Sequence, residues 1–422
     1  MSADFSSNQF YFLLFFSLLL LFLVTTRSLN SSLRTYPPFS NPEQTKAIAT
    51  KKISGSSYVK KTDVTLSSLN AKACCLMDAA TGRVLYGKQE DKKLPMASTT
   101  KIMTCILALE NAEGNDRIPV SSYAASMPDV QLNMQTGDTF YLKDLLYSLM
   151  LESHNDTAVA IAEAIGGSVK GFAAMMNQKA SELGCTRTHF VTPNGLDDKQ
   201  HYTTAKELCM IARYAMQNKQ FLQIIQAKSH LFSNCNNTRQ YQVHNHDVFL
   251  SSYAGALGIK TGFTNRAGYC FAGAAKKDGH ILISSVLACG WPPHKTYKWN
   301  DTKVLMDYGF SHFQNVTVSI PSYDSVIPIQ NAVKNTLSLT SSIPSQITYP
   351  LSYDDTLTIQ RQIPKKPSAP IRQGDIIGYD TISVNRTILE KYPIIAKETI
   401  RSRSFSYFAK LLLQCFFFNS LT

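Results

Sequence analysis

The chain has 422 residues, with 42 Lys and Arg against 30 Asp and Glu and a formal net charge of +12. At 44% hydrophobic and 17% charged residues it reads as globular, with length enough for two cored domains, which excludes a disordered chain. The basic residues are scattered, with no Arg/Lys block, zinc-finger spacing or Gly-rich phosphate motif, so nucleic acid is not expected as a partner, and the positive surface suits an anionic envelope or membrane face.

In chain order, residues 10–24 form an apolar run relieved only by Ser17. That is the size of a signal h-region and short for a spanning helix. The segment before it carries Asp4 and no Lys or Arg, so 1–28 is expected to be a signal peptide or an N-terminal anchor. Either way the bulk of the protein is exported. Residues 29–65, rich in Ser, Thr, Lys and Pro without periodicity, read as a linker.

From 66 to 312 the pattern predicts an α+β domain. Strands over 73–78 and 83–86 flank a turn at Ala79-Ala80-Thr81-Gly82. Pro95 opens a helix that is apolar nearly all round as far as Leu109. The stripe Leu142, Leu145, Leu146 and Leu149 marks a helix running into Glu152-Ser153-His154-Asn155-Asp156. More helices are predicted over 158–165, 172–183 and 205–216. Gly166-Gly167-Ser168 reads as a helix stop and a Ser N-cap rather than a phosphate loop. Strands resume over 258–262, 269–275 and 281–288, the last two joined by Lys276-Lys277-Asp278-Gly279, and a helix over 298–306 closes the domain. The expected architecture is an antiparallel sheet built from both ends of the domain, with a helical cluster inserted and the function at the seam.

Residues 316–399 alternate in short segments between Pro, Gly and Asp signals, predicting a small all-β domain of sandwich type without a catalytic constellation. Residues 401–422 are predicted to form an amphipathic helix in a membrane interface. Phe405, Phe408, Ala409, Leu412 and Phe416 make its apolar face, opposite Arg403, Ser406, Lys410 and Gln414. The nine cysteines show no metal spacing and mostly sit in apolar runs. His244 and His246 share a strand face but lack a third ligand, so no metal is expected.

Three short motifs carry chemistry. Ser98 and Lys101 stand a turn apart at a helix start, where the dipole favours developing negative charge and a buried lysine can lose its proton. Serine beside such a lysine is a nucleophile with its base. The same spacing at Ser57 and Lys60 lies in a polar stretch with no helix to hold it. Ser153 offers a hydroxyl able to relay a proton between two amines, and Asn155 a donor and an acceptor. Lys260 and Thr261 can hold a carboxylate at a sheet edge, where Gly262 admits a substrate backbone. The backbone N–H groups of Ser98 and Phe263 are the candidate oxyanion hole.

In this order, Ser98-x-x-Lys101, Ser153-x-Asn155 and Lys260-Thr261-Gly262 resemble the motifs of penicillin-recognising serine enzymes. Leu85-Tyr86, Pro95-x-Ala97-Ser98, Asn155-Asp156, Asn194-Gly195-Leu196-Asp197 and Gly262-x-Thr264 narrow the likeness to low-molecular-mass penicillin-binding proteins, the D-alanyl-D-alanine carboxypeptidases of bacterial envelopes. The resemblance implies a β-lactamase/penicillin-binding-type domain followed by a small β domain, and needs no cofactor. It implies Ser98 as the acylated nucleophile, Lys101 as its base and Ser153 as relay. Asn155 would position the substrate amide, and Lys260 with Thr261 would bind the terminal carboxylate. The expected substrates are peptidoglycan stem peptides losing their last D-alanine, with β-lactams as covalent inhibitors. The expected place is the periplasmic face of the inner membrane, held peripherally by the tail. His154 stands where glycine is commoner, and Phe263 where histidine is frequent. Two alternatives remain at this point. A class A-like β-lactamase would need a Glu-x-x-x-Asn element, for which Glu163 and Glu182 lack the Asn. A non-catalytic cell-wall binding protein is disfavoured because no motif residue is missing.

Overall fold

The computed structural model describes residues 45–52, 66, 69–128, 130–320 and 324–418. The apolar run at 10–24, Ser57 and Lys60 lie outside them. The first domain is built on a five-stranded antiparallel sheet. Its strands run, in spatial order, Val84–Lys88, Ala73–Asp78, His280–Leu287, Gly268–Lys277 and Ala256–Thr264. The central strands read as continuous apolar runs because both faces are covered. Ala73, Cys75 and Met77 point into the core shared with the helical cluster, while Cys74 and Leu76 point to the helix Tyr297–His312. That helix lies close on the sheet through Gly309, where a Cβ would come within 2.5 Å of Leu282 Cδ1. The hairpin between the last two sequential strands turns on Asp278 (φ 50°) and Gly279 (φ 81°), both left-handed, as its tight turn requires.

The helical cluster comprises Lys101–Asn111, Leu142–Tyr147, Asn155–Gly166, Val169–Glu182, Ala205–Ala215 and Lys219–Gln226. The last of these, capped by Asn218 and burying Phe221, Ile224 and Ile225, was not among the predicted elements; nor was the hairpin Ser229–Ser233 with Gln240–His244, whose second strand ends at His244 and leaves His246 outside it. The glycine pair behaves as a stop and a cap. Gly167 is left-handed at the end of one helix, and the Ser168 hydroxyl accepts from Gly171 N at 3.0 Å to start the next.

The second domain is all-β, with a six-stranded sheet, a two-stranded companion and two small apolar cores. Two features differ from expectation. Thr45–Lys52, inside the stretch read as a linker, is a strand that pairs antiparallel with Thr356–Gln362 and extends the six-stranded sheet at its edge. The pairing joins segments some three hundred residues apart, so the local sequence pattern does not reveal it. Arg403, assigned to the polar face of the tail helix, is tied to the β domain instead. Its Nε donates to Ala332 O at 2.7 Å and its Nη2 to Asn335 Oδ1 at 2.8 Å. The tail helix spans Phe405–Phe418 and leaves Phe405, Phe408 and Leu411–Leu413 exposed. Among the described residues, no single helix is long and apolar enough to cross a membrane.

The domains meet at Arg83, whose Nη2 pairs with the buried Asp355 carboxylate at 2.8 Å and whose Nη1 donates to Pro350 O. Its guanidinium also lies 5.5 Å from the Phe313 ring centroid.

Candidate active site

Ser98 lies in a single 3₁₀ turn, Ala97–Thr100, that leads directly into the helix Lys101–Asn111. Pro95 therefore stands two residues before the turn rather than in it. Ala97 is left-handed (φ 48°) and folds the chain sharply into the turn. Two neighbours hold this corner. Thr100 Oγ1 donates to Ala97 O at 2.8 Å and accepts from His201 Nε2 at 2.8 Å. His201 Nδ1 accepts from Val191 N at 3.0 Å, which fixes the neutral tautomer with its proton on Nε2. Burial pushes the His201 pKa down to about 4, so the imidazole stays neutral in this role.

Lys101 is fully buried, and its Nζ has three partners: Ser98 Oγ at 3.1 Å, Asn155 Oδ1 at 2.9 Å and Asn194 O at 2.7 Å. Burial lowers its pKa well below 10.5, the Lys260 charge lowers it further, and Asp156 opposes both. A neutral amine has two N–H donors and one lone pair. The two carbonyl-type oxygens accept only, so they take the two N–H groups and leave the lone pair facing the Ser98 hydroxyl. The Asn155 amide is oriented for this by its own Nδ2, which donates to Pro128 O at 3.1 Å.

The loop that supplies Asn194 O is pinned to the same helix, because Thr104 Oγ1 donates to Pro193 O at 2.6 Å. Gly195 follows with φ 86°, and a Cβ there would stand 2.0 Å from Ala97 O, so no other residue fits. The Asn194 contact could not be read from residue types, because the atom involved is a main-chain carbonyl.

The edge strand Ala256–Thr264 carries Lys260, Thr261, Gly262 and Phe263 in its interior, not at its start. Gly262 lies against the nucleophile turn, where a Cβ would be 2.9 Å from Ser98 N and 3.0 Å from Thr99 N. Lys260 is buried, and its Nζ donates to Thr261 O at 3.1 Å. Burial brings its pKa down to about 7, with Asp247 opposing and Lys298 assisting. Neither Asp247 nor Lys298 stood out in the sequence. Phe263 is 37% exposed and packs on Tyr269 with ring centroids 4.6 Å apart.

Ser153 terminates a π-helical turn, Ser148–Glu152, in the left-handed conformation (φ 72°). Its Oγ is buried without a hydrogen-bond partner among the described residues, whereas a relay was expected to bridge two amines. The structure thus brings Ser98, Lys101 and Asn155 into one hydrogen-bonded group and Gly262 against it, and leaves the Ser153 hydroxyl unengaged. The carboxylates weighed as water activators are committed elsewhere. Glu163 accepts from Ser121 at 2.6 Å, and Glu182 from Gln178 at 3.0 Å. Among the described residues, no group of three or more His, Cys, Asp or Glu is placed to hold a metal ion.

Known proteins resemble the chain over both of its domains. The D-alanyl-D-alanine carboxypeptidase family model matches residues 59–290, and that of the penicillin-binding protein 5 C-terminal domain matches 317–402. D-alanyl-D-alanine carboxypeptidase DacF of Bacillus subtilis is 30% identical over 354 residues, covering 81% of this chain and 88% of that one. The crystal structure of D-alanyl-D-alanine carboxypeptidase DacD from Francisella tularensis superposes with a TM-score of 0.61 at 26% identity, over 81% of this chain and 96% of that one. Penicillin-binding protein 5 from Haemophilus influenzae shares the fold, with a TM-score of 0.67 at 23% identity over 80% of this chain and 99% of that one.

Proposed function

The chain belongs to the D-alanyl-D-alanine carboxypeptidase family, serine peptidases that work through an acyl-enzyme, and on that premise we propose that Ser98 is the residue acylated. The observation that carries this reading is the buried Lys101 Nζ, 3.1 Å from Ser98 Oγ and bonded on its other sides to two oxygens that only accept. Lys101 takes the hydroxyl proton as Ser98 Oγ attacks the carbonyl carbon of the penultimate D-alanine of a peptidoglycan stem peptide. The N–H groups of Ser98 and Phe263 receive the developing oxyanion. Ser153 turns its unengaged hydroxyl to pass the proton to the departing D-alanine amine. Lys260 and Thr261 hold the terminal carboxylate, Asn155 orients the substrate amide, and Gly262 lets the chain approach the strand edge. Water then hydrolyses the ester. β-Lactams acylate the same serine.

The test is incubation with a diacyl-D-alanyl-D-alanine peptide followed by mass spectrometry. One D-alanine should be lost per peptide, and intact peptide after prolonged incubation would contradict the reading.

The protein acts outside the cytoplasm, exported by the apolar run at 10–24 and held at the outer face of the inner membrane by its tail. The support is the row of exposed Phe405, Phe408, Leu411, Leu412 and Leu413, which the β domain leaves uncovered. Because Ile400 is buried in the β domain and Arg403 is bonded to it, the informative truncation falls after Ser404. The truncated protein should leave the membrane fraction with activity on soluble peptide intact. Continued sedimentation with membranes would assign the anchor to the N-terminus.

A further inference from the structure

His154, between Ser153 and Asn155, is 4% exposed and bonded at both ring nitrogens. Its Nε2 lies 3.1 Å from Glu152 Oε2. A carboxylate only accepts, so Nε2 carries the proton and donates. Nδ1 then accepts from the Ser148 hydroxyl at 2.8 Å, and Ser148 Oγ accepts in turn from Thr157 Oγ1 at 2.9 Å. The other Glu152 oxygen accepts from His244 N at 2.8 Å, on the neighbouring hairpin. Glu152 and His154 thus join hands across Ser153, and the chain of bonds ties this clasp to the π-helical turn before it and the helix after it. Ser153 between them is left-handed, a conformation serine seldom adopts unaided.

We propose that His154 is a positioning residue for the reaction, acting with Glu152 to hold Ser153 in its left-handed turn and so to aim the Ser153 hydroxyl at the proton path. With glycine there, the turn would have no side chain to close the clasp. Here the hydroxyl has no partner among the described residues to fix it, so its placement rests on the backbone that the clasp holds. The charged and titratable groups acting on the imidazole are Asp156, Glu152, Lys101 and His246, and burial lowers its pKa so that it serves as the neutral form. The inference rests on Ser153 being the relay.

A double-mutant cycle on the full chain tests it, reading the second-order rate of penicillin acylation and the KM and kcat for the diacyl-D-alanyl-D-alanine peptide. His154→Ala should lower acylation and kcat about tenfold with KM nearly unchanged, as expected for a misplaced group. In a Ser153→Ala background the same change should cost less than about twofold, because nothing remains to be aimed. His154→Gln, whose amide N–H can reach Glu152, should recover part of the loss. Glu152→Ala opens the clasp from the other side and should reproduce the cycle if His154→Ala does not fold. Equal losses in both backgrounds, or no loss in the parent, would overturn the proposal. Parent-rate acylation by Ser153→Ala alone would instead remove the relay on which it rests.

Discussion

The Lys260 charge is, after burial itself, the strongest influence holding the Lys101 pKa down, and both lysines are buried. The two are required in opposite states, Lys101 neutral as base and Lys260 charged as carboxylate anchor. Activity is therefore expected above the Lys101 pKa and below that of Lys260. As pH falls through the Lys101 pKa the base gains its proton and kcat/KM drops. As pH rises through about 7, Lys260 loses its proton and the grip on the terminal carboxylate weakens. A bell in kcat/KM is expected for the free-carboxylate peptide, and the alkaline limb should flatten when that carboxylate is amidated. An alkaline limb identical for both peptides would contradict the anchor assignment.

Lys101→Arg should lose acylation by at least about a hundredfold, because arginine keeps the charge and cannot serve as a base. The rate of penicillin attachment measures this directly. Acylation at the parent rate would mean that lysine is not the base.

Gly262→Ala places a Cβ 2.9 Å from Ser98 N, while Gly279→Ala meets nothing within 4 Å although its backbone is left-handed. The first should cut acylation more than about tenfold by displacing the nucleophile turn. The second should cost about 1 kcal/mol of stability and leave acylation unchanged. Parallel acylation rates and urea midpoints for the two variants separate these effects.

Arg83→Ala removes the pairing with Asp355, a carboxylate only 5% exposed, and the bond to Pro350 O. The expected loss is about 1–3 kcal/mol at the domain junction, seen as earlier unfolding of the β domain in calorimetry. Hydrolysis of soluble peptide should be unchanged, because the arginine lies in the turn between Ala73–Asp78 and Val84–Lys88, at the far edge of the sheet from the strand that lies against Ser98. A unified transition at the parent temperature would show that other contacts hold the domains together.

The three motifs were legible because each puts chemistry on side chains at fixed spacing. The sheet strands were legible because burial on both faces gives unbroken apolar runs such as Ala73–Asp78. What escaped the sequence depends on main-chain atoms and long-range pairing. Asn194 contributes a carbonyl oxygen, Thr45–Lys52 joins a sheet whose partner strand lies some three hundred residues on, and the turn at Ser153 depends on Glu152 and His154 meeting across it. Arg403 shows the opposite error. Helical periodicity placed it on a polar face, but the helix begins at Phe405, after the arginine has already been bonded to Ala332 and Asn335.

The most direct test of the account is to map the penicillin adduct by peptide mass spectrometry in the parent protein and in Ser98→Ala. A single penicilloyl ester on Ser98, persisting long after free penicillin is removed and absent from the variant, is the predicted result. An adduct on any other serine, D-alanine release by Ser98→Ala, or rapid repeated hydrolysis of penicillin would contradict it.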